Sequence, residues 1–332
     1  MEMLHSRDVD MTPIIQEEGV TGGAAGTERA MALVRANGIE IDVEEAGPRD
    51  GPAILLIMGL GAQLVRWPPA MVEALAALGY RVIRFDNRDV GLSTKFDHAG
   101  APSIVWTVMQ KQFGRVPVVP YTLTDMAADA VGVLDALGVE RAHLVGASMG
   151  GMIAQLVAAG WPERAASLTS IMSTTGHPGC SRPSMRATAL LLRHPRSDDI
   201  EAIVAHGTMA GRAVSGRFPM EDAMMAERIR AETLRNRCPT GFLRQMAAIV
   251  ADGDRTGRLR AIEAPTLVIH GSDDPLVPPA GGRETARAIP GARLLEIEGM
   301  GHTLPPELID PIVGAIDEHA RAGATPRVAR AA

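Results

Sequence analysis

The stretch Gly146-Ala147-Ser148-Met149-Gly150 constrains the fold of this chain more than any other part of its sequence. It follows a short apolar run, residues 142–145, and precedes a longer one, residues 151–157, that is typical of a helix. The pattern predicts a strand, a sharp turn and a helix, with Ser148 at the turn. Glycines two positions before and two after the serine leave room for a strained backbone. The hydroxyl then lies at a helix N-terminus, which stabilises developing negative charge.

Two candidate partners for the serine follow it in the sequence. The apolar, β-branched run 265–271 predicts a buried parallel strand, and the loop after it carries Asp273 and Asp274. A second strand-like run ends shortly before His302. Because loops at the carboxyl ends of parallel strands meet at one edge of a sheet, these residues and Ser148 are expected to lie together. We predict Ser148 as nucleophile and His302 as base, with Asp273 and Asp274 as alternative acids.

Strand and helix signals alternate along the chain, which is typical of an α/β fold built on a parallel sheet. We predict strands at residues 31–35, 39–43, 53–57, 81–85, 142–145, 167–172, 265–271 and 292–297, and helices at residues 70–78, 125–137, 151–157 and 308–322. Asn37-Gly38 between the first two strands indicates a hairpin.

Two segments do not fit this alternation. Residues 100–120 hold Trp106, Met109 and Phe113, in a chain with only 3% aromatic residues. The second segment, residues 174–254, contains methionines, which adapt to irregular apolar shapes: Met185, Met209, Met220, Met224, Met225 and Met246. Two interpretations are open: a lid over an apolar substrate pocket, or a helical subdomain whose methionines fill its own core.

With these residues the chain resembles the α/β-hydrolase superfamily over most of its length. The resemblance is carried by residues 55–61, residues 82–93, the turn at Ser148, the Asp274 loop and residues 299–302. More narrowly, it resembles bacterial esterases that act on methyl esters of aromatic polyketides, of the aclacinomycin methylesterase type. This narrower resemblance is carried by Met58-Gly59, by the strand end Ile83–Asp89 and by Gly-Met-Gly-His-Thr-Leu-Pro at residues 299–305.

The resemblance implies a fold and a set of site residues. The fold is a mostly parallel eight-stranded sheet flanked by helices, with a helical cap inserted between strands 6 and 7. In this family the acid directly precedes a proline, which selects Asp274. The oxyanion hole is formed by the backbone amides of Leu60 and Met149. Many members have histidine at the position of Met58, but a hole built from backbone amides does not need that side chain.

We expect four parts along the chain. A mobile N-terminal tail occupies residues 1–28, and a C-terminal tail occupies residues 323–332. The hydrolase core comprises residues 29–173 and 255–322. The helical cap comprises residues 174–254.

The predicted function is that of a serine hydrolase with a Ser-Asp-His triad. Its substrate is a carboxylic ester, with a methyl ester as one option, of a small and largely apolar compound, cleaved through an acyl-enzyme. Lactonases, cofactor-free perhydrolases and carbon–carbon bond hydrolases use the same triad, so their reactions are alternative functions for this chain. A non-catalytic, ligand-binding member of the fold is a further alternative, since fold does not fix function. Epoxide hydrolases and haloalkane dehalogenases are disfavoured, because they have aspartate where this chain has Ser148.

The composition of the chain limits the kinds of molecule that it is expected to bind. A formal net charge of -6 argues against nucleic acid, which requires a basic surface. The two cysteines, Cys180 and Cys238, are expected to be unpaired, and no spacing of histidines or cysteines indicates a metal site. No motif indicates a nucleotide or another cofactor. Without an apolar leader or membrane span we expect a cytoplasmic protein that binds a small ester or lactone, with a homodimer left open.

The loop after residues 81–85 carries the charged residues Asp86, Arg88 and Asp89. Side chains in such loops commonly fix a turn through hydrogen bonds to the backbone. We expect that structural role here, and an acid–base role is the alternative.

Overall fold

A computed structural model describes residues 18–19, 29–180, 184, 185, 187, 189, 193, 195 and 197–324. Most of the predicted N-terminal tail and residues 325–332 of the predicted C-terminal tail therefore lie outside the described residues. Glu18–Gly19 forms a two-residue strand that pairs with Ala30 and Met31, which the sequence did not predict. The limits of the four predicted parts stay predictions.

The secondary structure alternates as predicted. The strands are β1 (Glu18–Gly19), β2 (Arg29–Ala36), β3 (Ile39–Ala46), β4 (Ala53–Ile57), β5 (Arg81–Phe85), β6 (Ala142–Ala147), β7 (Ala165–Ile171), β8 (Thr266–Gly271) and β9 (Arg293–Ile297). The helices are α1 (Pro69–Ala77), α2 (Ile104–Gln112), α3 (Leu123–Ala136), α4 (Met149–Gly160), α5 (Ile200–Val214), α6 (Asp222–Arg235), α7 (Pro239–Asp252), α8 (Thr256–Leu259), α9 (Pro279–Ala288) and α10 (Ile309–Ala324).

Within the described residues one sheet runs in the order β1-β2-β3-β5-β4-β6-β7-β8-β9. The pairs β1–β2, β2–β3 and β3–β5 are antiparallel. The pairs β5–β4, β4–β6, β6–β7, β7–β8 and β8–β9 are parallel. All eight predicted strands are present, and β1 adds a short edge. The predicted α/β fold with a mostly parallel sheet is confirmed.

Helices cover both faces of the parallel strands. One apolar layer packs α3 and α4 against the sheet, and the other packs α1 and α10 against it. Strands β4, β6 and β8 are consequently buried along their whole length, which explains their largely apolar sequences. In the sheet register Ile57 pairs with Gly146, so the loop after β4 begins beside the turn that carries Ser148. The carboxyl edge of the sheet is therefore the place where the predicted site residues meet.

Helices α5, α6 and α7 follow β7 and precede β8, and we call them the cap helices. The eight predicted strands correspond to β2–β9, so predicted strands 6 and 7 are β7 and β8. The cap helices therefore occupy the place of the predicted insertion. A small apolar core within them contains Val204, Met225 and Ile229. Met225 thus fills the core of the cap itself, as the second interpretation of its methionines expected.

Helix α2 packs against the cap helix α7, and it exposes the apolar side chains of Val105, Trp106 and Met109. Lys111 ties the two helices together by donating to the carbonyl oxygen of Ala251 at 2.7 Å. Trp106 and Phe113 point outward, with 55% and 75% of their surfaces exposed. These aromatic side chains therefore do not pack beneath the cap helices.

A buried histidine lies at the amino end of the strand that leads to Ser148. His143 in β6 lies edge-on to the ring of Tyr80, and its Nδ1 is 2.9 Å from the hydroxyl of Ser167. Burial, followed by the charges of His319 and Arg141, lowers the pKa of His143 to about 4. The imidazole is therefore neutral in the folded protein at pH 7.

Acidification is expected to destabilise the fold through His143. The unfolded chain binds a proton near the ordinary pKa of about 6.5, whereas folded His143 resists protonation, so stability is lost as the pH falls from 6.5 through 4. The contribution is about 3 kcal/mol in the free energy of unfolding. Urea unfolding at pH 7 and pH 4.5 measures it. His143→Gln should lose less stability on acidification than the wild type, whereas the exposed-residue control His98→Gln should behave like the wild type. Equal acid sensitivity of His143→Gln and wild type would contradict the prediction.

Candidate active site

Ser148 lies in the sharp turn between β6 and α4. Its backbone has φ 56° and ψ -119°, an uncommon conformation for a residue with a side chain. A Cβ on Gly146 would lie 2.2 Å from the carbonyl oxygen of Gly150, and a Cβ on Gly150 would lie 1.9 Å from that of Ile57. Both distances are far below van der Waals contact. The two glycines that define the sequence pattern are therefore required by the closeness of the backbone.

His302 connects Ser148 with Asp274. Its Nε2 is 2.9 Å from the hydroxyl oxygen of Ser148, and its Nδ1 is 2.7 Å from Oδ2 of Asp274. The other carboxylate oxygen of Asp274 accepts from the amides of Leu276 and Val277 at 2.9 and 2.8 Å. A carboxylate only accepts, so we assign the ring proton to Nδ1, which leaves Nε2 free to accept from the serine hydroxyl.

Asp273 does not share this arrangement. Its side chain is about one-third exposed, accepts from the hydroxyl of Ser272 at 2.7 Å, and lies 3.4 Å from Nε of Arg217. Of the two candidate acids, the structure brings Asp274 to His302.

A second histidine lies beside the same carboxylate, and the sequence reasoning did not select it. His270 is fully buried in β8, with Nε2 at 2.9 Å from the carbonyl oxygen of Val277 and 3.7 Å from Oδ2 of Asp274. Burial lowers the pKa of His270, and the nearby carbonyl and Asp274 only partly offset this effect. The neutral ring of His270 therefore adds no positive charge beside Asp274. A polar residue within an apolar strand was the available signal.

The loop after β4 forms a turn against the serine. The amide of Ala62 donates to the carbonyl oxygen of Gly59 at 3.2 Å, and Gly61 at the third position of this turn has φ 65°. A Cβ on Gly59 would lie 3.1 Å from the Cβ of Ser148 and 3.6 Å from its hydroxyl oxygen. We call residues 59–62 the oxyanion turn, because it contains Leu60 and borders the nucleophile.

The amides predicted for the oxyanion hole belong to Leu60 and Met149. Within the described part of the chain, neither amide donates a hydrogen bond to another residue. Met149 is the first residue of α4, where amides have no partner within the helix. The side-chain amide of Asn87 donates to the carbonyl oxygen of Met58 at 2.9 Å and fixes the start of the oxyanion turn. Both amides are thus available to a negative charge that develops beside Ser148.

The charged cluster after β5 fastens the cap helices to the core. Its members pair as Asp86 with Arg235 at 2.6 Å, Arg88 with Asp129 at 2.6 Å, and Asp89 with Arg244 at 2.7 Å. Arg235 belongs to α6 and Arg244 to α7, so two of the three pairs join the cap helices to this loop. Asp86 and Asp89 also accept from backbone amides, in agreement with the expected structural role.

The pair between Asp89 and Arg244 has no exposed side-chain surface. Burial raises the pKa of Asp89, but hydrogen bonds from Arg244, the amide of Phe96 and the hydroxyl of Tyr121 outweigh burial and leave this pKa below its usual range. Asp89 is therefore ionised inside the protein, and its charge depends on Arg244.

Removing the arginine of this pair is expected to destabilise the protein strongly. Arg244→Met leaves the Asp89 charge buried without a counter-ion, which should lower the free energy of unfolding by about 3–5 kcal/mol. Urea unfolding at pH 7 gives this quantity directly. The control is Arg230→Met, which breaks an exposed pair with Glu201 and should change stability little. Equal stability of Arg244→Met and Arg230→Met would show that the buried pair does not matter.

The cap also contacts the histidine loop. The amide of His302 donates to the carbonyl oxygen of Val214, the last residue of α5, at 2.6 Å. A Cβ on Gly301 would lie 2.1 Å from the same oxygen, so glycine is needed there. The position of His302 is thus set by the cap as well as by β9.

A cavity of about 610 Å³ lies at the cap, and Met209 is one of its lining residues. The lining consists of Ala189, Arg193, Ala205, Thr208, Met209, Arg212, Ala213 and Asp222. Ser148, Asp274 and His302 are not among these residues. The cavity is therefore not the space directly above the nucleophile.

The structure also shows the state of the two cysteines and allows a search of the described residues for a metal site and a membrane-spanning helix. The thiols of Cys180 and Cys238 are both free. Among the residues described, no three histidine, cysteine or carboxylate side chains are placed to hold one metal ion. None of the helices described here combines the length and the apolar composition needed to cross a membrane.

Comparison with known proteins identifies the family. The family model described as alpha/beta hydrolase fold matches residues 52–307. The chain belongs to this family, as its sequence predicted.

Two of the proteins that this chain is similar to are methylesterases, and the match covers nearly their full length. The rhodomycin D methylesterase DauP of Streptomyces sp. (strain C5) is 33% identical over 83% of this chain and 92% of its own length. The rhodomycin D methylesterase DnrP of Streptomyces peucetius is 32% identical over the same shares. Among solved structures, the enol-lactonase from Burkholderia xenovorans LB400 has a TM-score of 0.65 and 26% identity, covering 87% of this chain and 99% of the other. The predicted resemblance to methylesterases, and with it a carboxylic ester hydrolase, is confirmed.

Proposed function

We propose that this chain hydrolyses a carboxylic ester with Ser148 as nucleophile, His302 as general base and Asp274 as the orienting acid. The observation that carries the proposal is the pair of short contacts made by His302. Its two ring nitrogens lie 2.9 Å from the Ser148 hydroxyl and 2.7 Å from the Asp274 carboxylate. A base within hydrogen-bond reach of a nucleophile, itself oriented by a third group, is the arrangement that activates a serine.

The reaction proceeds in two stages. His302 takes the proton of Ser148 as the hydroxyl oxygen attacks the ester carbonyl, and Asp274 stabilises the imidazolium that forms. The imidazolium then gives its proton to the departing alcohol, and an acyl-enzyme remains on Ser148. Water, deprotonated by His302, attacks the acyl-enzyme, and the imidazolium returns its proton to the oxygen of Ser148 as the acid is released. The amides of Leu60 and Met149 donate to the oxyanion in both tetrahedral intermediates.

The proposed substrate is the methyl ester of a largely apolar acid. The similarity to two rhodomycin D methylesterases over more than nine-tenths of their length supports this choice. Hydrolysis of a methyl ester releases methanol, which is the smallest alcohol, so this substrate needs the least space for its leaving group. The cytoplasmic location stays a prediction from the sequence, which cell fractionation would test.

The proposal is tested by an ester panel. p-Nitrophenyl esters from acetate to octanoate report whether the protein has esterase activity and which acyl length it prefers. Methyl, ethyl and isopropyl esters of one aromatic acid, followed by release of the acid, then report the alcohol preference. Turnover of the methyl ester above the other two supports the proposal. A folded protein that hydrolyses none of these esters would contradict it.

Lactone hydrolysis is a second candidate, because the enol-lactonase from Burkholderia xenovorans LB400 matches this chain with 26% identity and 99% of that structure covered. A lactone is an internal ester, so the same three residues would open it. A comparison of a methyl ester with a lactone of the same acid separates the two functions. A higher kcat/KM for the lactone would favour this second candidate.

A further inference from the structure

A glutamine of the cap reaches the oxyanion turn. Gln245 in α7 is fully buried, and its Oε1 accepts from the amide of Gly61 at 2.8 Å. The other end of the same side chain, Nε2, donates to the carbonyl oxygen of Arg88 at 2.8 Å. Both ends of the amide are therefore occupied, so its orientation is fixed.

The bond to Gly61 holds the part of the turn that can move most easily. In a four-residue turn closed from Ala62 to Gly59, the central peptide joins Leu60 to Gly61. A glycine with positive φ at the third position allows this peptide to rotate at little cost. The amide of Leu60, which donates to the oxyanion, belongs to the adjacent Gly59–Leu60 peptide of the same hydrogen-bonded turn, so a loose central peptide also leaves that amide less firmly held. Gln245 holds the central peptide and so restricts this rotation.

Two neighbours of Gln245 on α7 strengthen the contact. Phe242 lies against the turn, since a Cβ on Gly61 would be 2.7 Å from its ring. Arg244, the adjacent residue, anchors the helix through the buried pair with Asp89. The helix is thus attached to the core at the level of the oxyanion turn.

We propose that Gln245 is a positioning residue for ester hydrolysis, which holds the oxyanion turn in its working conformation from the cap. The proposal rests on the function proposed above, and it makes oxyanion stabilisation dependent on the docking of α7. Gln245 does not touch the reacting atoms in this scheme, and it acts through Gly61 and Leu60.

The test is Gln245→Met, which keeps the length of the side chain and removes both hydrogen bonds. We expect kcat to fall about 10- to 100-fold while KM changes less than about twofold, because the oxyanion turn matters in the transition state. The rate at which a fluorophosphonate labels Ser148 should fall by a similar factor, since that reaction also develops negative charge on oxygen beside the serine. An unchanged kcat in the folded variant would overturn the proposal.

A matched control comes from another buried amide that joins the same loop to the cap. Gln63 donates to the carbonyl oxygens of Glu232 and Asn236 and accepts from Arg235, but it does not bond to residues 59–62. Gln63→Met should therefore loosen the cap without affecting the turn, and kcat should stay within about threefold of wild type. Equal loss of kcat in both variants would show that the loss comes from a loosened cap and not from the missing bond to Gly61, and would overturn the proposal.

Amide hydrogen exchange separates this proposal from the proposed function. Exchange at Gly61 should accelerate in Gln245→Met and not in Gln63→Met, whatever the substrate is. If the wild type hydrolyses no ester, the proposed function fails while this exchange difference still measures the contact. If Gln245→Met does not fold, Gln245→Asn replaces it, because its shorter side chain stays polar and does not reach Gly61. A wild-type rate of phosphonylation in Gln245→Asn would overturn the proposal.

Discussion

Replacing Ser148 with alanine is expected to abolish ester turnover, with kcat lower by about 10⁶-fold, the loss typical of removing a serine nucleophile. The hydroxyl is the atom that forms the acyl-enzyme, and the variant leaves His302 nothing to deprotonate except water. The amides of Leu60 and Met149 remain, so a small residual rate over the uncatalysed reaction is expected. Release of p-nitrophenol from the best ester of the panel, compared side by side with the wild type, measures the effect.

The control for this substitution is a neighbouring serine. Ser173 donates its hydroxyl hydrogen to the carbonyl oxygen of Ser148 at 2.8 Å, and it has no catalytic role in the proposed mechanism. Ser173→Ala should retain most of the activity, and both variants should show a native circular dichroism spectrum. Substantial turnover by folded Ser148→Ala would mean that another residue is the nucleophile.

The parts of this molecule that the sequence predicted depend on local chemistry. The glycines around Ser148 follow from a turn in which the backbone approaches itself, and the buried parallel strands have largely apolar sequences. Ser148, an acid and His302 each follow a predicted strand, which placed all three at one sheet edge. Each step needed only neighbours in sequence and the rule that parallel strands end at the same edge.

The parts that were not predicted depend on contacts between residues far apart in sequence. Gln245 bonds to a residue 184 positions away, and Arg235 bonds to Asp86 across 149 positions. A helical pattern shows that α7 has a buried face, but it does not show which polar side chain on that face meets the oxyanion turn. The outward direction of Trp106 is a similar case, because the sequence shows that residues 100–120 are rich in aromatic side chains but not which way these side chains point.

The choice between Asp273 and Asp274 shows where geometry adds to the family pattern. The sequence by itself left Asp273 and Asp274 as alternative acids. The family pattern, in which the acid directly precedes a proline, favoured Asp274. In the structure the two carboxylates point to different partners, with His302 at 2.7 Å from Asp274 and Arg217 at 3.4 Å from Asp273. The assignment of the acid can therefore be tested with a pair of isosteric substitutions at adjacent positions.

Asp274→Asn is expected to lower kcat by about 10⁴-fold, because the histidine is then held in the wrong tautomer. The oxygen of the new amide can still accept from Leu276 and Val277, which places its NH₂ group against Nδ1 of His302. An NH₂ group donates, so Nδ1 must become the acceptor and the ring proton moves to Nε2. In that form His302 cannot accept the proton of Ser148. Steady-state hydrolysis at a pH where the wild type is fully active gives the size of the effect.

Asp273→Asn is the matched control, since it makes the same chemical change one residue earlier and should leave kcat within about threefold of wild type. A large loss in Asp273→Asn together with an active Asp274→Asn would transfer the acid role to Asp273. The double variant Ser148→Ala with Asp274→Asn adds a further criterion. Residues that act as one unit are not additive, so this variant should be no slower than Ser148→Ala alone. If the two losses multiplied instead, Asp274 would contribute to catalysis by a route independent of His302 and Ser148.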